Sequence, residues 1–193
     1  MQGCCPGSSQ DDVAHTRAIV SYLQDKGCVD NNLFATGFSN GGFMGYRLYC
    51  EAADLFKGIA PMSGTLSEGG IDNPDCEPSG PTTVVHFHGT RDATIPYNGL
   101  GNGGSGLGWA GAQESIDRVI ELQSCSKNKT RVYEQTGSEN DRRAYCDEYD
   151  RCDGGNKATL CTIDGMDHSV AQGGRNAISA PDFMVAAFMK LVN

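Results

Sequence analysis

Apolar residues along this chain fall into short runs separated by polar, glycine-rich turns, and the period of each run predicts its element. Residues 11–26 (DDVAHTRAIVSYLQDK) open on acidic side chains and put Val13, Val20 and Leu23 on one face. Gly27 follows as a C-cap, so the segment is expected to be a helix. A polar turn leads to a short apolar strand, Leu33 to Thr36, and a second helix over 40–50 carries Met44 and Leu48 on a common face. FKGIAPMSG (56–64) reads as a buried strand and TTVVHFHG (82–89) as a strand rich in β-branched residues. A glycine-rich loop (97–108), a helix (109–123), strands over 131–163 around an Asp153-Gly154 turn, and a terminal helix (179–192, Pro181 near its first turn) complete the chain. Short apolar strands alternating with helices predict one α/β domain over 1–193, with a predominantly parallel sheet and flanking helices.

One turn carries chemistry. LFATGFSNGGFMGYRL (33–48) sets Gly37-Phe38-Ser39-Asn40-Gly41 between a predicted strand and a predicted helix, which matches the G-x-S-x-G pattern of a nucleophile elbow. Small residues let strand and helix approach closely, and Gly42 and Gly45 are expected to extend that approach into the helix. The helix N-terminus and the backbone N–H of Asn40 then face any oxyanion formed at Ser39. A serine nucleophile needs a base and the base an orienter, in the chain order Ser, Asp or Glu, His. Asp92, in the turn after the 82–89 strand, and His168, in the loop past the last strand, satisfy that order beyond the carboxyl ends of strands. His86 and His88 share one face of a strand, but no clear set of further ligands accompanies them, so no metal is expected. His15 falls on the polar side of the first helix. Gly99-Leu100-Gly101-Asn102-Gly103-Gly104 fits G-x-G-x-x-G only formally, because it does not join a strand to a helix. DRCDGGN (150–156) has the wrong spacing for a calcium loop.

Charge narrows the partners. The net charge is −9 with no basic stripe, which disfavours nucleic acid and anionic membrane surfaces, and no apolar run approaches the length of a membrane span. Nine cysteines without paired C-x-x-C spacing suit disulfides in an oxidising compartment, and an odd count leaves at least one outside an internal pair. The sequon Asn128-Lys129-Thr130 is compatible with secretion. Residues 1–6 nevertheless lack the charged and apolar regions of a signal peptide, so the chain is expected to be the C-terminal portion of a longer, secreted protein.

The segments CCPGSSQDDVAHTRAIV, LFATGFSNGGFMGYRLYCEAADLFKGIAPMSG, HFHGTRDATIPY and ATLCTIDGMDHS together resemble the secreted esterases comprising polyhydroxybutyrate depolymerases and feruloyl or acetylxylan esterases. The resemblance implies an α/β-hydrolase fold with Ser39 as nucleophile, His168 as base, Asp92 as orienter and Asn40 as an oxyanion donor. No cofactor is implied. The expected substrates are esters, polymeric or attached to polymers: hydroxycinnamoyl, acetyl or 3-hydroxyalkanoate. A non-catalytic binding module on the same scaffold is the competing expectation. The resemblance also suggests the pair Cys125–Cys152; Cys146–Cys161 and Cys50–Cys76 are further expected pairings, although spacing alone leaves the connectivity open. Two departures stand out. His168 lies in Gly165-Met166-Asp167-His168-Ser169, without the glycines that usually precede this histidine or the tryptophan that soon follows it. The strands and the second oxyanion loop expected ahead of Cys4-Cys5 have no counterpart in the chain.

Overall fold

The computed structural model describes residues 11–66, 76–100, 108–137 and 142–192. Helix α1 (Asp12–Asp25) starts where expected, because the Asp11 carboxylate accepts the Ala14 N–H at 3.0 Å. Val13 and Val20 are buried, His15 is exposed, and Gly27 follows the helix at φ +66°. Arg17 ties α1 to the next helix through both Asp54 oxygens and the Glu51 carbonyl.

Strand β1 (Phe34–Phe38) leads into α2 (Asn40–Ala52), then β2 (Gly58–Met62) and β3 (Thr83–Gly89). Helix α3 (Ala112–Leu122) precedes β4 (Lys129–Thr136), β5 (Arg143–Tyr149) and β6 (Ala158–Ile163), and α4 (Ala180–Phe188), followed by a 3-10 turn over Met189–Leu191, closes the described chain. The sheet order is β1-β2-β3-β6-β5-β4. The first four of these strands run parallel, whereas β5 is antiparallel to β6 and β4 to β5. The sheet is therefore mixed, with a parallel half that carries the turns of interest.

Burial follows from that arrangement. β2, β3 and β6 are buried at every position, as parallel strands covered on both faces must be. Ile59, Val84 and Leu160 pack beneath α1, α2 and α3 with Tyr46, Leu48, Ile116 and Val119. Their neighbours Ala60, Val85, Phe87, Cys161 and Ile163 face the other way, against Ile178, Ala180 and Phe188 of the α4 side. The two ends of the sheet differ. β4 is largely exposed and its register shifts between Arg131 and Tyr133; Arg131 and Lys129 pair with Asp147, and Glu134 with Arg143. Charge and a bulge blunt an edge against unwanted pairing.

Helix α3 begins at Ala112, later than the apolar pattern indicates. Trp109 instead forms a bridge with Leu100, and the Ala110 N–H donates to the Leu66 carbonyl, so the preceding residues are committed to the loop. Glu114 then caps the helix by accepting the Gly111 N–H at 2.7 Å. Most of the expected glycine-rich loop, residues 101–107, lies outside the described residues, as do Cys4 and Cys5. Asp153-Gly154 does turn the chain between β5 and β6, with Gly154 at φ +67°. The three expected disulfides, Cys50–Cys76, Cys125–Cys152 and Cys146–Cys161, are all present, and Cys28 is a free, exposed thiol.

Candidate active site

Three turns at the carboxyl ends of β1, β3 and β6 converge. Ser39 occupies the first, between β1 and α2, at φ 55° and ψ −115°. That backbone is rare for a residue with a side chain and is held by its surroundings: the Ser39 N–H donates to the Met62 carbonyl at 2.9 Å, and the Ser39 carbonyl accepts from Gly42 and Phe43. Gly37 permits the turn, since a Cβ there would lie 2.5 Å from the Gly41 backbone. A Cβ at Gly42 would lie 2.9 Å from the backbone of Gly64 and Met62, whereas Gly45 has ordinary room beside Pro61, so the close approach ends one turn earlier than the glycine pattern suggested.

Asp92 lies in the turn after β3 and is only 4% exposed. Its Oδ1 accepts the N–H groups of Thr94 (2.9 Å) and Ile95 (2.8 Å), which leaves Oδ2 free to face inward. His168 reaches it from the loop after β6, where the Arg91 N–H donates to the Met166 carbonyl at 3.0 Å and fastens the two turns together. His168 Nδ1 lies 2.7 Å from Asp92 Oδ2, and His168 Nε2 lies 2.9 Å from Ser39 Oγ. Because the carboxylate only accepts, Nδ1 carries the proton; Nε2 of the neutral ring then accepts from the serine hydroxyl. The Phe38 ring lies beside the imidazole, tilted 40° to it with centroids 4.7 Å apart, which limits its movement. Asn40 is the first residue of α2, so its N–H has no intrahelical acceptor and belongs to the positive end of the helix.

The sequence pattern missed what lies behind Asp92. His86 and His88 do share a face of β3, but both are wholly buried and they bond to each other, Nε2 to Nδ1, at 2.9 Å. Tyr46 of α2 completes the line, 2.6 Å from His86 Nδ1. The i, i+2 spacing was visible; its partner forty residues away was not. No group of three or more candidate metal ligands occurs among the described residues.

Burial keeps both rings neutral. His86 is pushed well below the ordinary 6.5 by desolvation and then by His88. His88 is lowered by desolvation, partly offset by the Ile95 carbonyl and Asp92. The unfolded chain gains protons as the pH falls through about 6.5 while the folded one does not, so acid favours unfolding. Unfolding free energy should be insensitive to these two groups above that pH. Below it, stability should drop by up to about 1.4 kcal/mol per pH unit per histidine. Urea titrations from pH 7.5 to 5 check this, and a His86→Phe variant should show a shallower slope. An equal slope in the two proteins would mean that His86 takes a proton within the fold.

The chain matches the Phospholipase/Carboxylesterase family over residues 9–103. It is 31% identical over 174 residues to feruloyl esterase B of Piromyces equi, covering 88% of this chain and 31% of that protein. Feruloyl esterase D of Neurospora crassa is 29% identical over 163 residues, covering 84% of this chain and 49% of that protein. Among solved structures, the acetyl xylan esterase from Aspergillus awamori superposes with a TM-score of 0.60 at 14% identity, over 92% of this chain and 66% of that one. The chain thus spans 31% and 49% of the length of these two curated relatives.

Proposed function

We propose that the chain, which is similar to feruloyl esterases and matches the Phospholipase/Carboxylesterase family over residues 9–103, is a serine carboxylesterase of the α/β-hydrolase fold with Ser39, His168 and Asp92 as its catalytic residues. The observation that carries this reading is the continuous line from Ser39 Oγ through His168 to Asp92, at 2.9 and 2.7 Å. Ser39 Oγ attacks the ester carbonyl carbon while His168 Nε2 takes its proton. Asp92 holds the imidazole in the productive tautomer and stabilises the imidazolium that forms. The Asn40 N–H faces the developing oxyanion. Collapse expels the alcohol, which leaves with the proton from His168. Water then attacks the acyl-serine with His168 again as base, and the carboxylic acid departs.

For substrates we favour hydroxycinnamoyl and acetyl esters of plant polysaccharide, the chemistry that the relatives' names carry. The three disulfides favour action in an oxidising, extracellular setting. A fluorophosphonate probe tests the central claim: the wild-type protein should be labelled at Ser39, and a panel of feruloyl, acetyl and 3-hydroxyalkanoate esters should rank in favour of the first two. A folded protein that takes no label would leave the binding-module reading in its place.

A further inference from the structure

We propose that His88 is a positioning residue of the hydrolytic site: its Nε2–H holds the turn that carries Asp92, and Tyr46 and His86 fix the tautomer that puts the proton there. This rests on the triad reading of Ser39, His168 and Asp92.

The polarity of the buried chain follows from one atom. His88 Nε2 lies 2.8 Å from the Ile95 carbonyl oxygen, which can only accept, so Nε2 carries the proton. Nδ1 of the neutral His88 ring is then an acceptor, and the group 2.9 Å from it, His86 Nε2, must donate. His86 Nδ1 accepts in turn, so the Tyr46 hydroxyl, 2.6 Å away, donates to it. Every bond points toward the Asp92 turn, and every ring nitrogen has a partner.

The receiving end of this chain is Ile95, which the Asp92 carboxylate also grips. Its N–H donates to Asp92 Oδ1 at 2.8 Å while its carbonyl accepts from His88. His88 Nε2 also stands 3.6 Å from Asp92 Oδ2, too far for a hydrogen bond but on the oxygen that receives His168 Nδ1. The other titratable groups facing His88 are His86, His168 and Tyr97, whose ring meets it edge-on at 5.8 Å. Tyr97 is itself tied to Thr162 of β6 at 2.8 Å. Filling this face of β3 with apolar side chains would avoid the desolvation that two buried imidazoles suffer. What the imidazoles add is a rigid strut between α2, whose first residue follows Ser39, and the turn that bears Asp92.

Two polar variants separate reach from folding. His88→Gln places an amide N–H where Nε2 stood, whereas His88→Asn keeps a partner for His86 but falls short of Ile95. Turnover of a small ester, expressed per fluorophosphonate-titrated site, should fall about tenfold or more in His88→Asn with KM within about twofold, and His88→Gln should recover most of it. Equal kcat in both variants, or no loss in His88→Asn, would overturn the proposal. Nitrogen-15 spectra of the wild-type protein give a readout that needs neither variants nor turnover. His88 should be protonated at Nε2 and not at Nδ1, and its ring should stay neutral as the pH is lowered to about 6. The opposite tautomer would overturn the strut. A wild-type protein with the expected tautomer but no label and no turnover would instead sink the esterase reading alone.

Discussion

Replacing Ser39 by alanine should abolish ester turnover and leave the fold in place. Alanine keeps the Cβ that already sits in the turn, and the backbone bonds to Met62, Gly42 and Phe43 do not involve the hydroxyl. The lost hydroxyl leaves His168 Nε2 without its donor, but the His168 side chain is 19% exposed and water can replace it. Melting temperature should therefore change little, while kcat falls by roughly 10⁴- to 10⁶-fold. His168→Ala should lose a comparable amount, and the double variant no more than either single one, because the members act as a unit. Asp92→Asn is expected to be milder, a loss on the order of 10⁴-fold. Its remaining oxygen can still accept from Thr94 and Ile95, but the amide nitrogen would face the His168 Nδ1–H and drive the proton to Nε2, where it blocks attack. Steady-state kinetics on a small ester, with circular dichroism of each variant, decides the matter. A folded Ser39→Ala protein at wild-type turnover would end the assignment.

The elements that place these residues were legible because each is written in local pattern. The elbow needs only a strand, a helix and glycines small enough for both to meet, and those signals sit within residues 33–48. β3 announces itself by a β-branched run bounded by proline and glycine. β4 and β5 were harder, since RVYEQT and RAYCDEY mix charge with apolar residues, and nothing local states which way a strand runs in a sheet. The antiparallel half is set by which neighbour each strand finds. Helix α3 began late for the same reason: Trp109 and Ala110 have helical neighbours in sequence but bond to Leu100 and Leu66. The histidine strut was hidden most deeply. Two imidazoles on one strand face are ambiguous until Tyr46 and Ile95 are seen at either end, and no periodicity records that contact.

Reduction of the three disulfides should unfold the domain. The pairs close loops with separations of 26, 27 and 15 residues. Loop-closure entropy assigns each about 3 kcal/mol of stabilisation, about 9–10 kcal/mol together. That sum is comparable to the whole stability of an ordinary domain, about 5–15 kcal/mol. The bonds also join separate elements of the fold. Cys50–Cys76 anchors the end of α2, Cys125–Cys152 links the exit of α3 to the turn before β6, and Cys146–Cys161 staples the antiparallel pair β5 and β6 at a register position. All six cysteines are at most 8% exposed, so thiol reagents should attack them slowly while the fold is intact. Exposed Cys28, by contrast, should alkylate at once without reductant. The experiment is a near-ultraviolet spectrum and a thermal melt with and without dithiothreitol, in mild urea to admit the reductant, followed by peptide mapping of the alkylated cysteines. The reduced chain should lose its near-ultraviolet signal and its cooperative melt together with its ability to take the fluorophosphonate label. A fully reduced protein that melted like the oxidised one would show that the sheet and its two cores hold the fold without the crosslinks.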